Sequence, residues 1–171
     1  MNKKNQIGIF GLDYENNLEN FYINAFKKLK YNNIKFLKNN HLFYIFCLLK
    51  KLNIKYLFKI FNFFQNLKFK KFILKNDLKT LIIFKGIELN VNIYKTIRRK
   101  KIIIINIYTD DPFNFSNPMI SNTNVLKSIK FFDYYCLWSK KIISKVSKQL
   151  LINKSKLIYL PFAFDDTKKN S

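Results

Sequence analysis

The chain has 171 residues, room for one domain rather than two, with a formal net charge of +22 and 49% hydrophobic residues. That apolar fraction excludes a disordered chain, three Gly and three Pro exclude collagen-like and Gly/Pro-rich classes, and two cysteines, Cys47 and Cys136, exclude a disulfide scaffold. Lys, Ile, Asn, Phe and Tyr make up 106 of the 171 residues and share A/T-rich codons, so part of the charge is coding background rather than the mark of a partner.

In chain order, Gln6–Leu12 is a short apolar run ending after Gly11 and reads as a first strand. Asn16–Lys30 follows with Leu18, Phe21, Tyr22, Ala25, Phe26 and Leu29 at helical spacing. Glu15 and Glu19 near its start and Lys27, Lys28 and Lys30 near its end suit the helix dipole. Ile34–Leu37 is a second strand. His41–Lys75 contains no Gly, Pro or acid and predicts one or two amphipathic helices, with a break near Asn62–Asn66. Thr80–Phe84 is a strand stopped by Lys85-Gly86, and Leu89–Arg99 a short helix. Lys101–Tyr108 is a β-branched run, apolar on both faces, as a central parallel strand requires. Asn114–Asn124 is a polar loop, Val125–Phe132 a helix and Tyr134–Trp138 a strand. Ser139 caps a helix through Leu150, and Leu157–Leu160 is a last strand ended by Pro161.

This alternation predicts an α/β fold: a Rossmann-like, open, mostly parallel sheet of about six strands with helices on both faces. The domain spans residues 1–160, with 161–171 as a tail. In such sheets ligands sit beyond the carboxyl ends of the strands. That rule selects Gly11, Asp13, Lys85, Gly86, Thr109, Phe113 and Ser139 as cleft-lining candidates, and Asp110 and Asp111 as catalytic ones. The two adjacent aspartates follow the most apolar strand, and Pro112 holds Asp111 in extended geometry. One carboxylate can serve as a base or bind a hydroxyl; the structural alternative is capping of the turn.

Other chemistries find little support. Gly8-x-x-Gly11 lacks the dinucleotide fingerprint, and Asp13 and Glu15 after it would repel a pyrophosphate. One histidine, His41, and no C-x-x-C pair leave no metal site. No Walker motif or G-x-S-x-G element is present. The apolar run Ile7–Leu12 is too short for a signal peptide, and Leu42–Leu49 is too short to span a bilayer. The expectation is a cytoplasmic protein, in which Asn114 and Asn153 are chance glycosylation sequons. Lysine is spread along every element and only Arg98 and Arg99 are arginine, so no specific nucleic-acid partner is expected. From Asn20 to Asn76, however, there are 13 Lys and no acid. Within it, Lys51, Lys55, Phe58, Lys59 and Phe61 are candidates for contact with an anionic membrane surface.

The second half resembles a known family. Leu81-Ile-Ile-Phe-Lys-Gly86, Tyr108-Thr-Asp-Asp-Pro-Phe113, Phe132-Asp-Tyr-Tyr135 with Trp138-Ser139, and Tyr159-Leu-Pro-Phe-Ala-Phe-Asp165 occur in an order similar to that of the CgeB-type (spore maturation protein-like) glycosyltransferases. The resemblance covers about residues 80–166; residues 5–37 match only as a generic β-α-β unit. It implies a GT-B architecture of two Rossmann-like domains, of which this chain resembles the N-terminal, acceptor-side half. The donor-binding domain would lie on a separate chain or be lost. It further implies metal-independent transfer from a nucleotide sugar to an acceptor hydroxyl, without a cofactor, and places Asp110 and Asp111 at the interdomain cleft. The alternatives are a non-catalytic basic module at a membrane surface or, behind it, a nucleic-acid-associated protein.

Overall fold

The computed structural model describes residues 6–117 and 119–161. Residues 162–171, with the end of the Pro-Phe-Ala motif and most of the tail, lie outside the described residues, as does the side chain of Lys55.

Six parallel strands form one open sheet in the order β2-β1-β3-β4-β5-β6. They are β1 Gln6–Gly11, β2 Ile34–Lys38, β3 Leu78–Phe84, β4 Ile103–Tyr108, β5 Tyr134–Leu137 and β6 Leu157–Tyr159. The helices are α1 Leu18–Lys28, α2 Asn40–Lys51, α3 Lys55–Lys75, α4 Val91–Arg98, α5 Thr123–Ser128 and α6 Lys140–Leu150. The fold is Rossmann-like, and the sheet is wholly parallel because each strand from β1 to β5 is followed by a helical crossover. β1 lies between β2 and β3, so the chain leaves β1 in one direction and returns past it to β3. That reversal opens a crevice at the carboxyl ends of β1 and β3.

Helices cover the two faces unequally. Phe10, Leu81, Ile83, Ile104 and Tyr135 point to one side, where α2 to α6 bring Phe46, Phe69, Ile93, Val125 and Val146. Ile7, Ile9, Ile82, Phe84 and Ile107 point to the other, where α1 alone among the described helices brings Leu18, Tyr22, Ile23 and Phe26. Strands beyond the reach of α1 keep Ile103, Tyr134 and Ile158 exposed.

Two boundaries differ from expectation. The break in the 41–75 segment falls at Leu52–Ile54, where Asn53 takes a left-handed φ of 54°, and not at Asn62–Asn66. Both asparagines sit within α3, and the Asn66 side chain is used by the helix and its neighbour. Asn66 Nδ2 donates to the Asn62 carbonyl one turn back, and Asn66 Oδ1 accepts from Asn90 N. The 125–132 helix divides into α5 and a short 3-10 turn over Ile129–Phe131.

Candidate functional site

At the carboxyl ends of β1, β3 and β4 lies a cavity of about 210 Å³, lined among others by Gly11, Glu19, Phe43, Lys85, Glu88 and Thr109. It sits at the crevice that the strand order creates.

Local chemistry fixes each wall. Asn17 caps α1 by accepting from Asn20 N and turns back to donate to the Leu12 carbonyl. The cap starts α1 so that Glu19 lies against the end of β1, where its Oε1 accepts from Leu12 N at 2.9 Å. Gly11 makes this approach possible: a Cβ there would fall 2.6 Å from Glu19 Oε1. After β3, Lys85 and Gly86 both adopt left-handed φ, 55° and 70°. The turn folds Glu88 back into the interior, between Ile87 and Leu89, which are buried in the core.

Glu88 is 5% exposed. Asn39 Nδ2 donates to its Oε1, and Gln65 Nε2 donates to Asn39 Oδ1 at 2.8 Å. A carboxylate, an amide and a second amide thus run in line from the cavity to α3. Burial pushes the Glu88 carboxyl up to about 7, against the bonds from its own backbone and from Asn39. Burial also raises Glu19, opposed by its bonds from the backbone. Lys85 is the cation of the cavity wall, and its Nζ pairs with Asp110 Oδ2 at 2.6 Å.

The sequence-derived candidates separate into two groups. Gly11, Lys85 and Thr109 line the cavity, Gly86 shapes its β3 turn, and Asp110 reaches it through Lys85. Asp111 faces another way. Its Oδ1 accepts from Phe113 N, an Asx turn, and its Oδ2 lies 3.5 Å from Lys145 Nζ. Phe113 packs beneath the same ammonium at 4.3 Å, and Ser139 caps α6. Asp13 braces the loop after β1, paired with Lys38 at 2.5 Å; the hydrogen bond from that lysine holds its carboxyl below the usual range. Sequence reading gave Glu19 only a dipole role and passed over Glu88, Asn39 and Gln65. The signal for Glu88 was an acid between two core residues, Ile87 and Leu89, directly after a strand-ending Lys-Gly turn.

Of the membrane candidates, Phe58 and Phe61 are half-buried against the core, whereas Lys51 and Lys59 are exposed. Among the described residues no group of three or more His, Cys, Asp or Glu is placed to hold a metal ion, and no helix is long and apolar enough to cross a membrane. Both cysteines are free, and burial pushes each thiol up to about 11. Comparison of the sequence with protein-family models and with curated proteins finds no match to either.

Proposed function

We propose that the chain is the acceptor-side domain of a glycosyltransferase, in which the cavity at the β1–β3 crevice takes one hydroxylated sugar unit. The observation that carries this reading is the pair of buried carboxylates, Glu19 and Glu88, facing one small cavity. Carboxylates are strong acceptors for hydroxyl hydrogens, and two of them disfavour an anionic ligand. The volume of about 210 Å³ is below the ~300–1,000 Å³ of drug-sized sites and suits a single ring. The resemblance of residues 80–166 supplies the reaction class.

In this reading Glu88 is the proton acceptor. A group near pH 7 combines a useful ionised fraction with basicity. The acceptor hydroxyl gives its proton to Glu88 as its oxygen bonds to the anomeric carbon of the donor. The bond from that carbon to the nucleotide's phosphate oxygen breaks, and the nucleoside diphosphate leaves with the electron pair. Asn39 and Gln65 hold Glu88 in place. Lys85, steadied by Asp110, brings positive charge to the cavity rim.

Saturation-transfer NMR with a panel of mono- and disaccharides tests the reading. Sugar protons should receive saturation from the wild-type chain, and the Glu19→Gln plus Glu88→Gln double variant should lose the signal. Asp111→Asn should keep it. Failure of every saccharide to bind, or binding indifferent to the double variant, overturns the assignment.

A further inference from the structure

The α2–α3 hairpin carries apolar residues on two faces. Inward, Phe46 of α2 and Gln65, Phe69 and Ile73 of α3 are buried. Outward, Tyr56 is 74% exposed, Phe63 65% and Phe64 60%. At about 100° per residue, Tyr56, Ile60, Phe63, Phe64 and Leu74 share one sector of α3 roughly a quarter-turn wide, and all five are exposed. Tyr44, Ile45 and Leu48 of α2, with Leu52 and Ile54 of the connection, are exposed as well. Soluble proteins scatter such side chains singly; here ten exposed large apolar residues fall between Tyr44 and Phe64.

Charge selects the partner. Exposed Lys59, Lys68 and Lys70 flank the apolar sector of α3, exposed Lys71 lies within it, exposed Lys51 ends α2, and no acid occurs from Asn20 to Asn76. Beside Phe63 an open groove of about 480 Å³ runs between α3 and α4, lined by Lys59, Asn62, Asn66, Lys70 and Asn92. Aromatic and aliphatic side chains rimmed by ammonium groups match the boundary between acyl chains and anionic headgroups. The groove gathers amide and ammonium donors beside Phe63.

We propose that the outward face of the α2–α3 hairpin docks on an anionic phospholipid bilayer, with the α3–α4 groove receiving lipid phosphates. The proposal is independent of the sugar-binding reading. Its test is flotation of the full chain with vesicles of phosphatidylcholine alone and of phosphatidylcholine mixed with phosphatidylglycerol. The wild type should float only with the mixed vesicles. Phe63→Asp plus Phe64→Asp removes apolar contact at side chains that the core does not use, and should lower the bound fraction about tenfold or more. Lys59→Gln plus Lys70→Gln should lower affinity roughly fivefold per lysine. Lys148→Gln plus Lys154→Gln, the same change of charge at exposed sites on α6 and beyond it, should leave flotation intact. Circular dichroism confirms that each variant folds. Three results overturn the proposal. One is unchanged flotation of the phenylalanine variant. Another is an equal loss from the α6-side lysines, which would make net charge the whole cause. The last is a wild-type dimer in vesicle-free solution that Phe63→Asp plus Phe64→Asp dissociates, which would assign the face to a second copy of the chain.

Discussion

The carboxyl edge of the sheet and the helical hairpin divide the charges of this chain between them. Six of the eight acids among the described residues follow β1, β3 or β4, and two of them, Glu19 and Glu88, are buried at the cavity. The hairpin has none, and Lys51, Lys59, Lys68, Lys70, Lys71 and Lys75 stand in solvent. In a sequence with 32 basic and 10 acidic residues, a lysine says little about its surroundings and an acid says much. A buried carboxylate costs desolvation and persists only where neighbours hold it. The hairpin lysines need no such support. The uneven placement of acids is therefore the more informative record of the two.

The sharpest way to break the comparison uses the two faces of α3. Phe69 is fully buried and meets Phe10 of β1 edge to face at 4.8 Å. Phe69→Ala should cost about 3–5 kcal/mol and loosen the hairpin from the sheet, as read by urea denaturation. Its outward neighbour should behave differently: Phe63→Ala should stay within about 0.5 kcal/mol of wild type while weakening vesicle binding.

A second prediction concerns the acid edge and pH. The folded carboxyl of Glu88 titrates at about 7 and the unfolded one at 4.5. Between those values the folded chain keeps a proton that the unfolded chain has released. Stability should fall as pH rises from 4.5 to about 7 and level off above. The size of the effect is at most about 3 kcal/mol. Glu88→Gln, which keeps an acceptor oxygen for Asn39, should flatten that part of the curve. Denaturation at a series of pH values checks the slope; an identical slope in the variant would remove Glu88 as its source.

The smallest of the three effects belongs to Gly11. In Gly11→Ala the new methyl meets Glu19 Oε1 at 2.6 Å and Cγ at 2.7 Å. Glu19 must shift, at a cost of about 1–3 kcal/mol, and its bond from Leu12 N should weaken. Calorimetric melting gives the cost, and the saccharide signal reports the displaced carboxylate.

Much of the fold could be read from local pattern. Strands closed by Lys85-Gly86 or Pro161 stand out because turn chemistry is local, and the run Ile102–Ile105 announced a strand paired on both sides. The hairpin break was misread because asparagine both breaks and serves helices. Only the approach of Asn90, distant in sequence, settles the role of Asn66. Helical periodicity over 41–75 likewise did not show which residues meet the sheet. Phe58 and Phe61 proved inward, and Phe63 and Phe64 outward. At the site, the rule of carboxyl ends found Gly11, Lys85 and Thr109. It also selected Asp111, whose carboxylate here closes a local Asx turn. Glu88 was missed because its partner Asn39, and Gln65 behind that partner, come from 49 and 23 positions upstream.

The line of amides behind Glu88 also gives that carboxyl a direction. With the Gln65 amide as placed, the Asn39 amide is held one way round: its nitrogen faces one carboxylate oxygen and its oxygen accepts from Gln65. Reversal would set oxygen against oxygen and nitrogen against nitrogen. Oε1 of the ionised Glu88 is therefore held as an acceptor, and while Asn39 donates there a proton arriving at this carboxyl settles on Oε2. A side chain with two equivalent oxygens in water has become, in this interior, one with a fixed end and a working end.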